Sequence, residues 1–417
     1  MAETPTSSPQ PQSSGSTAIS GSARRSAVLG AMFLMATSAI GPGFLTQTAT
    51  FTAQLGAAFA FAIVLSIIVD IAVQLNVWRV IGISGMRAHE LGNVVLKGAG
   101  WVLAALVVFG GMVFNIGNIS GTGLGLNGML GVDPVVGGVV SAALACIILL
   151  SKALGAALDK IVVGLGLLMI VLTTYVAFSS NPPVGDALRN SVMPETTNFL
   201  VITTLIGGTV GGYITYAGAH RLLDSGMTGV ENASGVARSS TLGIIVTGVM
   251  RVVLFLAILG VVVGGAQLDM TNPAGSAFEH ALGDVGRVVF GIVLWAASVT
   301  SVIGASYTSV SFMTKRSTSA RTVSLITIVF IAIGAFGYAT LGKAPATLLV
   351  FAGGFNGLIL PLGFTLVLWV AWRRRDLLHG YRYPAWLLIA GVLAWLLTLF
   401  LGWQSISGLS TLWTGGL

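Results

Sequence analysis

The sequence predicts an all-α membrane protein of eleven spanning helices, and three observations predict it. Of 417 residues, 55% are hydrophobic and only 8% charged, with a mean hydropathy of +0.93. Soluble domains carry about 25% charged residues, so this chain cannot dress a soluble surface of its own size. Apolar stretches recur at the ~20-residue length that crosses a bilayer. The basic residues collect in alternate loops, the pattern that orients membrane proteins. No period-two alternation with turn signals competes, which argues against a membrane β-barrel.

Residues 1–22 are rich in Ser, Pro, Thr and Gln and hold no apolar run. They read as a disordered cytoplasmic tail, and no cleavable signal segment precedes the first span. Residues 23–417 read as a single transmembrane domain. The spans fall at 26–54, 57–79, 99–126, 133–151, 155–178, 198–225, 236–264, 285–313, 321–341, 345–372 and 384–404. With the N-terminus inside, only Arg189, Arg287 and Lys343 of the 20 Lys and Arg fall outside, and Arg251 falls within a span. That asymmetry places the chain in a cell membrane with a cytoplasmic N-terminus, and a missed span would scramble it. The basic residues behind the net charge of +7 sit singly or in short clusters between apolar spans, so no nucleic-acid partner is expected. The one cysteine, Cys146, sits in an apolar run. It excludes an intrachain disulfide and any cysteine metal cluster.

Two spans carry interruptions. Span 1 holds Gly41-Pro42-Gly43, and span 6 holds Gly207-Gly208 and Gly211-Gly212 ahead of Tyr213–His220. Proline removes a backbone donor, and glycine lowers the cost of unwinding. Unwound backbone at membrane depth is tolerated where it lines a cavity or is buried in protein. Broken helices at matching places in two halves point to a transporter's binding site. Spans 1 and 6 stand first in two consecutive five-helix blocks. The expected architecture is therefore a 5+5 inverted repeat with helices 1 and 6 broken, plus one extra helix. The competing account is that both are packing kinks.

The motif order resembles the Nramp family of proton-coupled metal-ion transporters, which have a LeuT-like fold. Gly41-Pro42-Gly43-Phe44, with Gln54-Leu55-Gly56 in register, is similar to the family's Asp-Pro-Gly-Asn helix. Residues 114–134 resemble its third helix. The resemblance covers 26–404 and implies the LeuT-like fold and a membrane transporter. It also exposes departures. The family's metal-binding Asp and Asn fall on Gly41 and Phe44. Its Met-Pro-His in span 6 falls on Gly218-Ala219-His220 or one residue earlier, so the methionine is absent.

A dehydrated divalent cation at midplane needs a carboxylate or several well-placed oxygens. The interrupted spans instead offer helix N-termini, which suit anions. They also offer polar groups from Thr46, Gln47, Thr215, Tyr216 and His220, with Gly41, Gly43, Phe44, Gly218 and Asn356 lining. The expected function is a secondary active transporter, not an enzyme. It would couple uptake of a small anion, such as bicarbonate or a small carboxylate, to sodium or protons. The alternative is a divalent-ion transporter of the Nramp type with a remodelled site. Span 8 hydroxyls at Ser298, Thr300 and Ser301 resemble the sodium site of coupled relatives of this fold, though such hydroxyls also bond their own helix. Asp70 and Arg251 are charges at membrane depth, and such groups are functional candidates by default. A self-neutralising structural pair is the other account of them. No cofactor is expected beyond sodium as a coupling ion, and no oligomer is required.

Three motif matches carry no weight. Gly123-Leu-Gly125-Leu-Asn-Gly128 follows an apolar helix rather than a strand. Asn232-Ala-Ser234 falls on the cytoplasmic side. His89-Glu90 lacks the second histidine of a zinc-protease helix.

Overall fold

The protein is described by a computed structural model covering residues 40–315 and 317–414. The expected tail at 1–22 and the first part of span 1 lie outside the described residues.

Helix α1 (Pro42–Leu55) starts at Gly41, whose backbone is extended at φ −80°, ψ −175°. Pro42 fits there because the first helical N–H has no intrahelical partner to lose. At Gly56 (φ 52°, ψ −133°) the chain leaves helical geometry. It passes through a 3-10 turn at Gly56–Ala58 into α2 (Phe59–Ser84), which ends on left-handed Gly85. A short helix α3 (Ala88–Val95) leads to α4 (Ala99–Leu130). Asp133 caps α5 (Pro134–Leu150), accepting from the N–H groups of Val135 and Val136, and Ser151 caps α6 (Lys152–Ser179). Helix α7 (Val184–Val192) bends 106° from the end of α6. With Asp186 and Arg189 on one side and buried Ala187 and Asn190 on the other, it has the two faces of a surface helix.

The sixth span is interrupted as expected. Helix α8 (Phe199–Val210), capped by Asn198, stops at Gly211, and α9 (Ile214–Asp224) begins after Tyr213. Then follow α10 (Ala233–Val263), α11 (Pro273–Ser311), α12 (Ala320–Leu341), α13 (Pro345–Arg373), α14 (Ala385–Ser405) and α15 (Leu409–Thr414). Gly283 (φ 65°, ψ −156°) breaks α11, so the spanning part starts after it.

Eight helical runs among the described residues are long and apolar enough to cross a membrane, or nine if the bent pair counts as one span. The expected count of eleven differs for physical reasons. Pro42–Ser84 forms one run of 43 residues, about 65 Å at 1.5 Å per residue. That is twice a bilayer core, and it holds two expected spans divided at Gly56. Pro134–Leu150 has only 17 residues.

The interior is built from close helix approaches. Helix α8 lies directly on α13, where a side chain on Gly207 would run into the Gly353 carbonyl. Helix α4 packs on α11, where a Cβ at Gly125 would lie 2.6 Å from the Trp295 nitrogen. The GxGxxG run thus serves packing. Helix α1 sits inside a cage of α8, α10, α11 and α13, and its residues from Pro42 to Thr52 are all buried.

Candidate substrate site at the interrupted helices

Helix α1 opens within the protein. The first turn of a helix leaves its N–H groups unpaired. Leu45 N donates to Gly41 O at 3.3 Å, and Pro42 has no N–H. Gly43 and Phe44 therefore present theirs without a partner among the described residues. Thr46 and Gln47 follow, both buried. Gln47 Nε2 donates to Leu349 O at 3.2 Å, which orients the amide and leaves Oε1 without a partner. The hydroxyls of Thr48 and Thr52 bond back to Phe44 O and Thr48 O.

The second interruption lies beside this one: Gly208 abuts the Gln47 amide, and both helices pack on α13. Gly212 is left-handed at φ 52°, and a Cβ there would run into Asn356 Oδ1. Asn356 Nδ2 donates to Gly110 O at 3.0 Å and Ala352 O at 2.9 Å, and its Oδ1 has no partner. Gly353, three residues before Asn356, abuts the Gln47 amide. The structure therefore brings Gly41, Gly43, Phe44, Thr46, Gln47 and Asn356 to one buried region.

Four expected residues run away from it along α9. Thr215 is committed to α2: its hydroxyl donates to Gln74 Oε1 at 3.0 Å, and its carbonyl accepts from Trp78 Nε1 at 3.0 Å. Tyr216 packs on Phe312 with ring centroids 5.2 Å apart. Gly218 lies in the buried stretch between Tyr216 and His220. His220 engages both ring nitrogens, Nδ1 with Ser311 Oγ at 2.8 Å and Nε2 with the Ala88 N–H at 3.4 Å. These contacts belong to the far end of the bundle.

Of the span 8 hydroxyls, Ser298 donates to Leu294 O at 2.6 Å, and Thr300 donates to Ala296 O and Ala297 O. Ser298 abuts Gly121, which also abuts Pro42, so it stands beside the α1 start. Ser301 is buried, while Thr300 is half-buried. Residues two apart on a helix face different ways and residues three apart share a side, so Thr300 parts from the other two.

The two charges at depth converge here. Arg251 of α10 is 1% exposed, and its guanidinium carbon lies 4.4 Å from the Phe44 ring centroid. Its Nε and Nη2 have no partner among the described residues. Asp70 of α2 is 2% exposed. Its carboxyl faces the Thr209 hydroxyl and feels the charge of Arg251, and Oδ1 has no partner. The two form no direct ion pair among the described residues.

The sequence reading missed a cluster at the far end. Arg87, between α2 and α3, pairs with Asp224 at the end of α9 at 3.0 Å. Arg87 Nη1 donates to Ser311 O and Thr314 O, each at 2.9 Å, and Tyr307 OH donates to Asp224 Oδ2 at 2.7 Å. In sequence one is a loop charge and the other lies at the edge of span 6, nearly 140 residues apart, and only the fold brings them together.

The Natural resistance-associated macrophage protein-like (Nramp) family model matches residues 32–407. The chain belongs to the Nramp family. A Haemophilus influenzae protein described as an uncharacterized membrane protein is 53% identical over 369 residues, covering 88% of this chain and 92% of that one. The uncharacterized membrane protein YcsG of Bacillus subtilis is 49% identical over 391 residues, covering 93% and 96%. Among solved structures, a manganese transporter of Eremococcus coleocola superposes with a TM-score of 0.76 at 15% identity, covering 96% of this chain and 90% of that one. MhsT in complex with L-phenylalanine superposes with a TM-score of 0.66 at 15% identity, covering 91% and 98%. At 15% identity these likenesses show the fold.

The expected family and LeuT-like fold hold, and this Nramp-family chain is a multi-pass membrane transporter. On cargo, the neighbours' names lean toward the divalent-metal alternative and lend no support to sodium, bicarbonate or another anion. Among the described residues no group of three or more His, Cys, Asp or Glu is placed to hold a metal ion.

Proposed function

We propose that this protein is a secondary active transporter of a small anion, bicarbonate or a small carboxylate, in the cell membrane with its N-terminus inside. The observation that carries the reading is the buried Arg251 guanidinium, 4.4 Å from the ring of Phe44 at the start of α1, with unpartnered nitrogens. A helix N-terminus carries about half a positive charge and points its N–H groups outward. A guanidinium adds a full charge and a fork of donors that matches a carboxylate. Gly41 and Phe44 bring no carboxylate to offset either. Asp70 makes no direct pair with Arg251 among the described residues, so an anion can take the guanidinium's unpartnered donors, whereas a divalent cation finds a guanidinium beside the helix start and no carboxylate on it.

A second reading, transport of a divalent metal ion, is favoured by the family neighbours and by Gln47 Oε1 and Asn356 Oδ1. These are buried neutral acceptors without partners, of the hard-oxygen type that suits Mg²⁺ or Mn²⁺.

Proteoliposomes separate the two. The test is uptake of labelled bicarbonate, lactate and pyruvate under proton or sodium gradients, beside Mn²⁺ quenching of an enclosed dye. Anion uptake that falls at least ten-fold in Arg251→Gln supports the first reading. That fall matches the ~1.5–3 kcal/mol of a hydrogen bond to a charged group. Mn²⁺ entry without anion uptake establishes the second.

A further inference from the structure

We infer that Asp70 is the proton-coupling carboxyl of the Arg251 site, so that one proton enters with each monovalent anion. This rests on the anion reading above and adds the identity of the coupling ion and the ratio.

The geometry is that of two charges held near each other but apart. A structural pair would close to direct contact, because each buried polar atom left without a partner is a penalty. Here Asp70 Oδ1, Arg251 Nε and Arg251 Nη2 are all left without one, and Arg251 lies on Phe44 instead of on Asp70. The unspent hydrogen-bonding capacity of both groups belongs to a working site.

Surrounding charges leave the pair to itself. Arg251 of α10 is the charged group that acts on Asp70, and α8 presents the Thr209 hydroxyl. The other elements packed on α2, namely α1, α7, α9, α13, α14 and the 3-10 turns at Gly56–Ala58 and Val230–Asn232, the latter carrying Glu231, present no charged group that acts on it among the described residues. The local net charge is therefore set by Asp70, Arg251 and the substrate.

Burying net charge is costly in proportion to how dry the site is, so the favoured states are the neutral ones. Empty, the site is neutral with Asp70 ionised against Arg251. Loaded with a monovalent anion, it is neutral only when Asp70 has taken a proton, leaving Arg251 to the anion. The proton binds the Asp70 carboxylate as the anion enters and leaves to water when the anion departs. No net charge crosses in either leg of the cycle. A carrier with neutral Asp70 and no anion would have to return with Arg251 uncompensated, and so would stall.

The test is anion exchange against net uptake in proteoliposomes holding the full chain, with labelled lactate, pyruvate and bicarbonate. Wild type is expected to accumulate the anion when the inside is alkaline and to be indifferent to a potassium–valinomycin potential. Asp70→Asn is expected to lose gradient-driven accumulation at least ten-fold more than it loses anion-for-anion exchange, and Asp70→Glu to restore accumulation. Accumulation by Asp70→Asn equal to wild type would overturn the assignment, and so would potential-driven uptake in wild type. The potential measurement needs no variant, so a misfolded Asp70→Asn does not shield the proposal. Wild type that exchanges none of the anions at any pH retires the anion reading itself, a result distinct from exchange without proton coupling.

Discussion

The Arg87 guanidinium meets the Asp224 carboxylate at 3.0 Å with Arg87 only 6% exposed. Through the carbonyls of Ser311 and Thr314 and the hydroxyl of Tyr307, the same two residues tie α9 to the end of α11 and to the loop after α2. That fastening closes the end of the bundle that the proposed orientation puts on the cytoplasmic side. Removing one partner of a buried pair leaves the other charge uncompensated. Asp224 is 26% exposed, so the effect is a shift in opening rather than unfolding. In a Cys146→Ser background, a thiol placed by Thr308→Cys should be labelled several-fold faster by an impermeant reagent when Asp224→Asn is added. An unchanged rate would mean that closure rests elsewhere.

Gly212 answers a geometric demand. Its φ of 52° and the Asn356 Oδ1 beside it leave no room for a side chain. A non-glycine residue in left-handed backbone costs about 1–2 kcal/mol, and the clash adds to that. Gly212→Ala should lower the melting temperature in detergent by several degrees. Adding Asn356→Ala should return part of the loss, because residues in contact couple rather than add. Strictly additive losses would show that the two do not touch.

His220 was expected at the substrate, yet its ring is held between Ser311, Ala88 and Phe312. His220→Gln should therefore keep anion uptake within about three-fold while reducing thermal stability. A collapse of uptake at unchanged stability would put His220 on the transport path.

His89 lies at the same end, at the start of α3, with Nδ1 unpartnered. Burial pulls its pKa below the ordinary histidine value, with Glu90 pulling the other way and Arg87 reinforcing burial. A depressed folded-state pKa means the unfolded chain binds more protons, so stability from this group is present above the ordinary histidine pKa and falls as pH drops through it. The melting temperature should decline from pH 7 to 5, and His89→Gln should flatten part of that decline. An identical decline in the variant would assign it to other groups.

What was legible in the sequence followed from local physics. Gly41-Pro42-Gly43 and Gly211-Gly212 announced both interruptions because proline and left-handed glycine act on their own few residues. The all-α membrane class came from composition, apolar lengths and the placement of basic residues, none of which needs a contact between distant segments. Helix counts were blurred where a span is short, as at Pro134–Leu150, or where a run passes through a turn at Gly56. Contacts between distant segments were not legible. Arg251 and Asp70 stood out as charges at depth, but the Phe44 ring under Arg251 did not. Thr215 looked like a free donor until Gln74 and Trp78 closed on it, and nothing in the sequence joined Arg87 in its loop to Asp224 at the edge of span 6.

The register of the α1 start can be tested by restoring the family's motif. Gly41→Asp with Phe44→Asn returns the acid and the amide to the helix start. Arg251 lies beside this helix start, its guanidinium carbon 4.4 Å from the ring that Phe44→Asn removes, and is expected to pair with the new carboxylate one turn away. A guanidinium–carboxylate pair competes directly with a cation for the same oxygens. The double variant should therefore bind Mn²⁺ weakly, and a third change, Arg251→Gln, should raise Mn²⁺ affinity at least ten-fold by calorimetry. Equal affinity in the double and triple variants would remove Arg251 from the motif's surroundings. No binding in either would mean that Gly41 and Phe44 do not stand at the family's metal-binding positions, and the anion reading would then rest on Arg251 alone.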